Sequence, residues 1–224
     1  MAAAEQFRQR LLAAGQALKI DIDAQQADML LTYLAQLQRW NKTYNLTALR
    51  DPEQMLVQHV FDSLSVLRPL LNILDKNTVS NRLVVDVGSG AGLPGVVLAI
   101  MQPNWQVHCI DAVEKKMAFV RQMAGVLRLP NLQAQHRRIE SMPVFEADIV
   151  VSRAFASLAD FATLAGRHVG PEGHLVAMKG REPHDEAQAL QQNTPWHISR
   201  IETLSVPELN AQRCLVWMSR QGNL

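Results

Sequence analysis

The sequence predicts an α/β protein in which a helical N-terminal region precedes a doubly wound, mostly parallel β-sheet. Residues 1–80 repeat apolar side chains at helical spacing and contain no convincing strand. From residue 82 onward, short β-branched runs alternate with helical segments, which is typical of a parallel sheet covered by helices. The last two apolar runs have no helix between them, and this predicts an antiparallel hairpin at the end of the sheet.

Three helices are expected in the N-terminal helical region, residues 1–80. The first carries an amphipathic pattern, and the second spans about residues 24–40. The third begins at Asp51 and Pro52, because aspartate is a good N-cap and proline fits the first helical position. Its apolar stripe predicts a single helix through Leu56, Val60, Leu64 and Leu67. The polar segment 72–81 is expected to separate this region from the main domain, residues 81–224.

The main domain is expected to hold the sheet and its covering helices. Strands are predicted at 82–87, 106–111, 132–137, 147–152, 174–179, 197–204 and 212–219. Helices are predicted at 95–101, 113–128, 158–168 and 184–192.

The composition is that of an ordinary folded protein. The 224 residues are enough to bury a core without disulfides or metals. Lys and Arg number 22 and Asp and Glu 21, so bulk charge argues against a strongly basic nucleic-acid binder. Cys109 and Cys214 lie in apolar runs without metal or redox spacing, which predicts buried reduced thiols and no metal site. No apolar stretch approaches the ~18 residues of a membrane span, and we expect a cytoplasmic monomer without membrane contact.

The most informative segment is the glycine loop, VVDVGSGAGLPG at 84–95. A predicted strand runs into Gly88, Gly90 and Gly92, and a helix follows. Glycines allow sharp turns and close approach of a ligand, and the crevice beyond the strand ends is where doubly wound sheets bind ligands. Asp86 precedes the glycines, and Asp111 ends the next strand, where it could accept hydrogen bonds from ribose hydroxyls.

Two ligand classes compete for this loop. GAGLPG at 90–95 also fits the G-x-G-x-x-G pattern of dinucleotide sites, but there the first glycine directly follows the strand. Here the strand ends at Val87, and the triple that follows directly is Gly88-x-Gly90-x-Gly92. The Asp86 carboxylate would repel a pyrophosphate and would suit an ammonium or sulfonium group. The pattern therefore favours a class I fold for S-adenosylmethionine (SAM) over an NAD-dependent oxidoreductase.

Five motifs in this chain resemble one family. In order, they are WNKTYNLTALRD (40–51), HVFDSL (59–64), DVGSGAGLPG (86–95), VSRAFAS (151–157) and MKG (178–180). They are similar to the bacterial small-subunit ribosomal RNA guanine-N7 methyltransferase G family, also called glucose-inhibited division protein B. The resemblance implies a class I SAM-dependent methyltransferase fold with a helical extension, and methylation of N7 of guanine 527 in 16S rRNA. Gln58 departs from the pattern, because the family often carries a basic residue there.

The resemblance also implies site residues. Gly88 and Leu93 would contact the cofactor from the glycine loop. Ile139 and Glu140, after the third strand, would flank and hydrogen-bond the adenine, although Ile139 could equally be core packing. Arg153, after the fourth strand, would close the site by meeting the SAM carboxylate or an RNA phosphate, with a structural salt bridge as the alternative.

Substrate contacts are expected from polar residues around this crevice. Each of these residues also has a purely structural interpretation. The residues near position 45 could cap the helix or hydrogen-bond within the loop, the helical histidine could be structural, and those near position 180 could be solvated strand ends. The candidates are Asn41, Lys42, Asn45, Thr47, His59, Lys179 and Arg181.

The chemistry after the fourth strand favours guanine N7 as the acceptor. SRAF at 152–155 stands where methyltransferases of exocyclic amines typically carry an Asn/Asp-Pro-Pro-aromatic motif, and neither cysteine lies on a loop suited to pyrimidine C5 methylation. Guanine N7 is unprotonated at neutral pH and needs no general base, so the enzyme would lower the reaction barrier mainly by orienting the base toward the methyl group. Ribose 2′-O methylation with Lys179 as base and a catalytically inactive RNA-binding module are the alternatives.

Although the net charge of the whole chain is close to zero, the sequence contains two basic runs. Residues 115–138 and 39–50 contain no acidic side chain. If the two runs lie on one side of the molecule, they would form a basic strip that contacts 16S rRNA. The rRNA could be free, or part of the small subunit or of an assembly intermediate. Otherwise the runs are ordinary solvated faces. The basic residues are Lys115, Lys116, Arg121, Arg128, Arg137, Arg138, Arg39, Lys42 and Arg50.

Overall fold

A computed structural model describes residues 2–74, 81–153 and 155–221 of the chain. Its centre is one seven-stranded sheet with strand order β3-β2-β1-β4-β5-β7-β6. The strands are β1 (Arg82–Val87), β2 (Trp105–Asp111), β3 (Leu132–His136), β4 (Ala147–Ser152), β5 (Val169–Lys179), β6 (Trp196–Thr203) and β7 (Cys214–Arg220).

The sheet is parallel from β3 to β5 and antiparallel at its end. β1 pairs in parallel with both β2 and β4, so the strand order reverses there and leaves a crevice beyond their carboxyl ends. β7 inserts between β5 and β6 and runs antiparallel to both. The predicted α/β class and the antiparallel final pair are therefore confirmed.

Helices cover both faces of this sheet. They are α1 (Ala2–Leu18), α2 (Ala24–Tyr44), α3 (Pro52–Met55), a π-helix (Leu56–Phe61), α4 (Asp62–Leu64), α5 (Leu67–Leu74), α6 (Gly95–Met101), α7 (Glu114–Val126), α8 (Leu158–Ala165) and α9 (Ala187–Asn193). Short 3₁₀ turns occupy Ile139–Ser141 and Gly166–His168. None of the helices in the described part is long and apolar enough to cross a membrane.

The third predicted helix begins as expected but is not continuous. Asp51 caps it through a 3.0 Å hydrogen bond from the Glu53 amide, and Pro52 is the first helical residue. The helix then widens into the π-helix, ends at Leu64, and is followed by the separate helix α5. The stripe residues are all buried, and the four-residue spacing of the first three exceeds the 3.6-residue α period. A wider turn keeps such residues on one face, so the periodicity predicted the burial but not the π-helix.

Two further boundaries differ from expectation. β5 begins at Val169, five residues before the predicted 174, and its pairing with β4 shifts register between Ala147 and Ile149. This early part of the strand contains Gly170, Pro171 and Gly173, which are rare in strands, so β propensity did not predict it. The predicted linker 72–81 falls partly on α5, and its residues 75–80 lie outside the described ranges.

The N-terminal helices and one face of the sheet share a continuous apolar core. Leu30 and Leu37 of α2 belong to the same buried cluster as Val84 of β1 and Val107 of β2. Alternate residues of these strands face a second cluster beneath α8 and α9. The boundary near residue 80 stays a prediction, while the shared core places α2 directly against the helices that follow the glycine loop.

Candidate cofactor and substrate site

The glycine loop leaves β1 and turns beneath the start of α6. Gly88, Gly90 and Gly92 all have positive φ, at 67°, 60° and 88°. A Cβ on Gly92 would lie 2.4 Å from Val96 Cγ2, so this glycine allows close packing of the loop on its own helix. A Cβ on Gly90 would meet nothing within 4 Å. The loop is therefore packed at Gly92 and open at Gly90, where a ligand could approach.

Asp86 lies beneath this loop and is fully buried. Its Oδ2 accepts a 2.8 Å hydrogen bond from the Gly95 amide, while Oδ1 has no partner among the described residues. Burial raises the pKa of Asp86 to about 7; the Asp111 charge adds to the rise, and the Gly95 amide and Arg153 oppose it. The carboxylate thus holds the loop in place and retains one buried acceptor.

Asp111 closes the other side of the loop at the end of β2. Its Oδ2 accepts from the Gly90 amide at 2.9 Å, and Oδ1 accepts from the Val113 amide at 2.8 Å. Lys116 Nζ stands 3.9 Å from Oδ2. Because a carboxylate offers about four lone-pair positions, Asp111 can fix the loop and still accept from a ligand hydroxyl.

The residues after β3 are placed beside the same edge of the sheet. Ile139 is buried in the second core cluster, and its carbonyl accepts a 3.0 Å hydrogen bond from His168. Glu140 is exposed, with Arg138 Nη1 3.8 Å from its Oε1. Leu93 is also buried, within the first core cluster. Their proposed contacts with the cofactor stay predictions.

Arg153 follows β4 and turns toward the π-helix. Its Nη1 donates to the Gln58 carbonyl at 3.0 Å and to Asp62 Oδ2 at 3.2 Å. The structure shows this salt bridge, and the expected contact with the SAM carboxylate or an RNA phosphate stays a prediction. Arg153 also lines a cleft of about 350 Å³ together with Leu49, Gln58, His59, Asp62, Met178, Lys179, Gly180 and Arg213. We call this space the arginine pocket.

The arginine pocket lies at the carboxyl ends of β4 and β5 and at the start of β7, next to the glycine loop. Ser152 Oγ, at the end of β4, donates to the Val87 carbonyl at 2.7 Å and so joins this end to β1. Arg153 follows Ser152 directly, so its end of the pocket lies beside the point where β1 runs into the glycine loop. The two spaces therefore form neighbouring parts of one crevice.

His59 is almost fully buried in the wall of the arginine pocket. Its Nε2 lies 3.0 Å from Thr47 Oγ1, and its Nδ1 lies 3.1 Å from the Gln58 carbonyl oxygen. Burial, aided by the charge of Arg153, lowers the pKa of His59 to about 4. The imidazole is therefore uncharged at neutral pH, and both nitrogens have protein partners.

The polar residues at the end of α2 mostly support the loop that follows. Asn41 is buried; its Nδ2 donates to the Leu49 carbonyl at 2.8 Å, and its Oδ1 accepts from the Thr47 amide at 2.9 Å. Asn45 is the left-handed C-cap of α2, and its side chain accepts from Arg50. Lys42 is exposed. The capping alternative thus describes Asn41 and Asn45, while Lys42 remains a surface candidate.

Lys179 and Arg181 end β5 in different surroundings. Lys179 Nζ donates to both oxygens of Glu186, at 2.8 and 3.1 Å, and to the Ala156 carbonyl at 3.2 Å. The ammonium group is therefore held by the Glu186 carboxylate and one carbonyl oxygen. Arg181 is exposed and lines an adjoining cavity of about 400 Å³ that also reaches Arg213.

Three contributors escaped the sequence predictions: Asp62, Arg213 and Tyr33. Asp62 is buried and accepts from both Arg153 and Arg213, the latter through Nε at 3.0 Å. Tyr33, on α2, donates to the Ala91 carbonyl of the glycine loop at 2.9 Å. The sequence signals for these roles were weak. Asp62 lies inside the motif HVFDSL, and Tyr33 lies in an ordinary apolar stripe of a helix.

The donor set fits the expected cofactor. A SAM molecule carries a sulfonium, an ammonium and ribose hydroxyls, which carboxylate oxygens can balance or accept hydrogen bonds from. The loop offers the unpartnered Oδ1 of Asp86, the remaining lone pairs of Asp111 and the open side of Gly90. The described residues contain no cluster of metal-ligating side chains, and both cysteines are free and buried, as predicted for the thiols.

The two basic runs approach each other at α2 and α7. Trp40 of α2 packs on Phe119 of α7 with ring centroids 5.5 Å apart. Lys116 is half-buried and the other basic residues of both runs are exposed. Lys116, Arg121 and Arg138 lie within ion-pair distance of Asp111, Glu114 and Glu140 in that order, so three of these positive charges are partly offset. A common RNA-facing strip stays a prediction.

Comparisons with known proteins identify the family. The model of the family described as GidB, rRNA small subunit methyltransferase G, matches residues 26–216. The chain is 62% identical over 216 residues to a ribosomal RNA small subunit methyltransferase G of Bordetella petrii, covering 96% of this chain and 84% of that one. It is 45% identical over 219 residues to the protein of the same name from Methylibium petroleiphilum, covering 98% and 97%.

Solved structures of lower identity share the fold. A SAM-dependent methyltransferase from Aquifex aeolicus superimposes with a TM-score of 0.58 at 18% identity, covering 78% of this chain and 96% of that one. The magnesium protoporphyrin IX methyltransferase of Synechocystis PCC 6803, solved with bound SAH, gives 0.56 at 16% identity, covering 84% and 94%. These likenesses show a class I SAM-dependent methyltransferase fold, and the sequence matches show that the chain belongs to the rRNA small subunit methyltransferase G family.

Proposed function

We propose that this protein transfers a methyl group from SAM to N7 of a guanine in 16S rRNA, the guanine at position 527 by family resemblance. The observation that carries the proposal is the junction of two spaces: a glycine loop held by Asp86 and Asp111 adjoins the arginine pocket. Membership of the rRNA small subunit methyltransferase G family supports the same substrate. Such an enzyme would work in the cytoplasm, and we propose that it acts as a monomer.

The cofactor would be held by residues at the ends of the first three strands. When bound, SAM supplies an electrophilic methyl group. Asp86 would accept from or balance a cationic part of the ligand, and Asp111 would accept from ribose hydroxyls. Backbone contacts would come from the open side of the glycine loop, and the adenine would lie near Ile139 and Glu140. The residues proposed to hold SAM are Asp86, Gly88, Gly90, Gly92, Leu93, Asp111, Ile139, Glu140 and Arg153.

The arginine pocket is suited to orienting an acceptor that keeps its own lone pair. His59 is uncharged and both its nitrogens have protein partners, while the Lys179 ammonium group is paired with Glu186 and donates to the Ala156 carbonyl. Neither residue is poised to remove a proton. Guanine N7 needs no such base, and orientation alone can supply about 7–11 kcal/mol of the barrier reduction.

The alternatives are less well supported. Ribose 2′-O methylation requires loss of a hydroxyl proton, and Lys179 is ion-paired with Glu186. A dinucleotide site would bring a pyrophosphate beside the buried carboxylate of Asp86. A binding module without activity would have no use for two carboxylates that hold an open glycine loop.

The RNA must present its target base outside the stack. Single-stranded loops make this inexpensive, because a base in such a loop is less stacked and less paired at the outset. We propose that the acceptor is 16S rRNA within the small subunit or an assembly intermediate. Basic residues of the two runs, with Lys42 and Arg181, would contact its phosphates.

Methyl transfer from labelled SAM provides the decisive experiment. Small subunits and naked 16S rRNA from a strain lacking this protein would be the acceptors, and nucleoside digestion with mass mapping would identify the product. The expected product is 7-methylguanosine at one position. A 2′-O-methylated nucleoside would instead support ribose methylation. In a separate thermal melting experiment, stabilisation of the protein by NAD(H) but not by SAM would support the oxidoreductase alternative.

A further inference from the structure

Tyr44, the last residue of α2, is the one exposed aromatic side chain among the described residues. It is 45% exposed, whereas every other Phe, Tyr and Trp side chain in the described ranges is buried or half-buried. It belongs to the motif WNKTYNLTALRD and has no part in the proposed SAM site. A single exposed apolar side chain is ordinary on a protein surface, so the surroundings of Tyr44 decide whether it has a role.

Tyr44 is the outer member of a row of three aromatic rings. Phe119 of α7 is fully buried, and Trp40 packs on it with ring centroids 5.5 Å apart. Tyr44 packs on Trp40 with centroids 5.0 Å apart and ring planes tilted by 39°. These are the separations of favourable aromatic pairs. The core therefore holds Trp40, and Trp40 in turn holds the Tyr44 ring, so an exposed flat surface is already fixed in place.

The backbone around Tyr44 is also fixed. Asn45 has the left-handed conformation that ends α2, and its amide donates to the Asn41 carbonyl at 3.2 Å. The buried Asn41 side chain donates to the Leu49 carbonyl and accepts from the Thr47 amide. The end of the helix and the loop that follows it are thus joined, with Tyr44 between them.

Tyr44 lies at the rim of the proposed active-site crevice. Earlier on the same helix, Tyr33 donates to the Ala91 carbonyl of the glycine loop at 2.9 Å. Later in the chain, Thr47 Oγ1 lies 3.0 Å from His59 Nε2 in the wall of the arginine pocket, which Leu49 also lines. Tyr44 comes between these contacts and is exposed, so its ring faces outward beside the two neighbouring spaces.

The surface around Tyr44 is positively charged. Arg39, Lys42 and Arg50 are exposed, and none of them has a carboxylate within ion-pair distance in the described part of the chain. Arg50 instead donates to the Asn41 carbonyl at 3.0 Å and to the Asn45 side chain, which are uncharged. A flat aromatic ring among unbalanced cations matches single-stranded RNA, whose bases present π faces and whose backbone is anionic.

We propose that Tyr44 is a stacking platform for an unpaired RNA base next to the target guanine. The proposal rests on the function proposed above. When the target guanine leaves its stack to enter the crevice, a neighbouring base loses one stacking partner. The Tyr44 ring at the rim would replace that partner, while Lys42 and the nearby arginines would contact the adjoining phosphates. Tyr44 would thus help to hold the RNA with its target base unstacked.

The first experiment compares Tyr44→Leu with Tyr44→Phe in the full-length protein. Tyr44→Leu keeps an apolar side chain against Trp40 and removes the flat ring, whereas Tyr44→Phe keeps the ring. The probe is an unmethylated 16S rRNA transcript, whose affinity is measured by filter binding, so the readout does not depend on catalysis. We expect Tyr44→Leu to weaken RNA binding by about 5-fold to 100-fold, which corresponds to one base–aromatic stack. Tyr44→Phe should bind RNA like the wild type, and both variants should keep the wild-type Kd for SAM.

The salt dependence of RNA binding separates stacking from charge. A neutral ring releases no counterions, so Tyr44→Leu should lower the affinity without changing the slope of log affinity against log salt. Lys42→Gln, at an exposed lysine of the same helical turn, should lower that slope by about 0.7. If Tyr44→Leu lowered the slope as Lys42→Gln does, the ring would act only by holding its cationic neighbours, and the proposal would be overturned.

The matched control is Val126→Ala, which shortens an exposed apolar side chain at the end of α7. Because α7 starts after the carboxyl end of β2 and ends before the start of β3, Val126 lies at the edge of the sheet opposite the crevice. This variant should leave the RNA affinity unchanged. Thermal melting reports the folding of each variant. If Tyr44→Leu does not fold, Tyr44→Met takes its place, because a flexible methionine can pack against Trp40 without offering a ring.

A cycle of changes in protein and RNA identifies the stacked base. Ligation supplies 16S rRNAs that each carry one abasic residue at an unpaired position beside the target guanine. The wild type should lose affinity at one such position, and Tyr44→Leu should lose little more there, because both changes remove the same contact. Additive losses at every position would overturn the proposal. If the wild type bound RNA through Tyr44 but formed no 7-methylguanosine, the proposed function would fail and the stacking contact would stand. If 7-methylguanosine formed and Tyr44→Leu bound RNA like the wild type, the function would stand and the stacking contact would fail.

Discussion

The hydroxyl of Tyr33 donates a 2.9 Å hydrogen bond to the carbonyl of Ala91 in the glycine loop. Tyr33 is fully buried on α2, and its ring packs on Phe119 of α7 with centroids 5.9 Å apart. A residue of the N-terminal helices therefore holds the glycine loop, in addition to Asp86 and Asp111. The helical region is joined to the proposed SAM site through this contact.

Removing that hydroxyl tests the connection. We expect Tyr33→Phe to lower the free energy of unfolding by about 1–3 kcal/mol, because the buried Ala91 carbonyl loses its partner. We also expect a several-fold rise in the Kd for SAM, since the loop is less firmly held. Urea unfolding and calorimetric titration measure the two effects. Tyr44→Phe, at a half-exposed tyrosine of the same helix, is the control, and an unchanged Kd in Tyr33→Phe would exclude the coupling.

Two loop glycines should respond differently to substitution. Gly90→Ala places its Cβ in open space and costs about 1–2 kcal/mol of backbone strain at positive φ. Gly92→Ala incurs the same strain and brings Cβ to 2.4 Å from Val96 Cγ2, so its loss of unfolding free energy should be larger. Gly90→Val should retain the fold and greatly weaken SAM binding by filling the ligand side. Equal Kd values for Gly90→Val and wild type would show that SAM binds elsewhere.

SAM affinity should depend on pH through Asp86. The pKa of this carboxyl is raised to about 7, so the group is largely protonated at pH 6 and ionised at pH 8. A cationic ligand requires the ionised form, and the affinity for SAM should therefore rise between pH 6 and pH 8. Asp86→Asn should bind weakly and lose this dependence, and calorimetric titrations of both proteins across the range provide the measurement. An identical pH dependence in the variant would assign the titration to the ligand itself.

The sheet and the loop residues could be predicted because their signals are local. β-branched runs define the strands, and the carboxyl end of each parallel strand lies at one edge of the sheet. Asp86 and Asp111 are therefore placed correctly from sequence alone. Ile139 shows the limit of such inference, since a strand end near the crevice is also a position that packs into the core.

The arginine pocket could not be predicted in the same way. Asp62 and Arg213 are 151 positions apart and meet because β7 inserts beside β5, a strand order that no local pattern specifies. Asp62 also depends on the π-helix, which the hydrophobic spacing did not reveal. Arg153 was predicted to lie beside the crevice, but its salt bridge with Asp62 depends on that same long-range topology.

His59 should make the folded protein sensitive to acid. Its pKa is lowered from 6.5 to about 4, so between these values the unfolded chain binds more protons than the folded one. Stability from His59 is therefore present above pH 6.5 and is lost as the pH falls toward 4. Asp86 changes stability in the opposite direction, because its raised pKa lets the folded state bind more protons than the unfolded chain between about pH 4 and pH 7.

We expect His59→Gln to remove the loss of stability that His59 causes in acid. The unfolding free energy of the variant should therefore fall less than that of wild type from pH 6.5 to pH 4.5. Urea unfolding at several pH values measures this difference, with His184→Gln, at a side chain 78% exposed, as the control. Parallel pH curves for His59→Gln and wild type would mean that the imidazole titrates freely in the folded state, in conflict with its burial between Thr47 and Gln58.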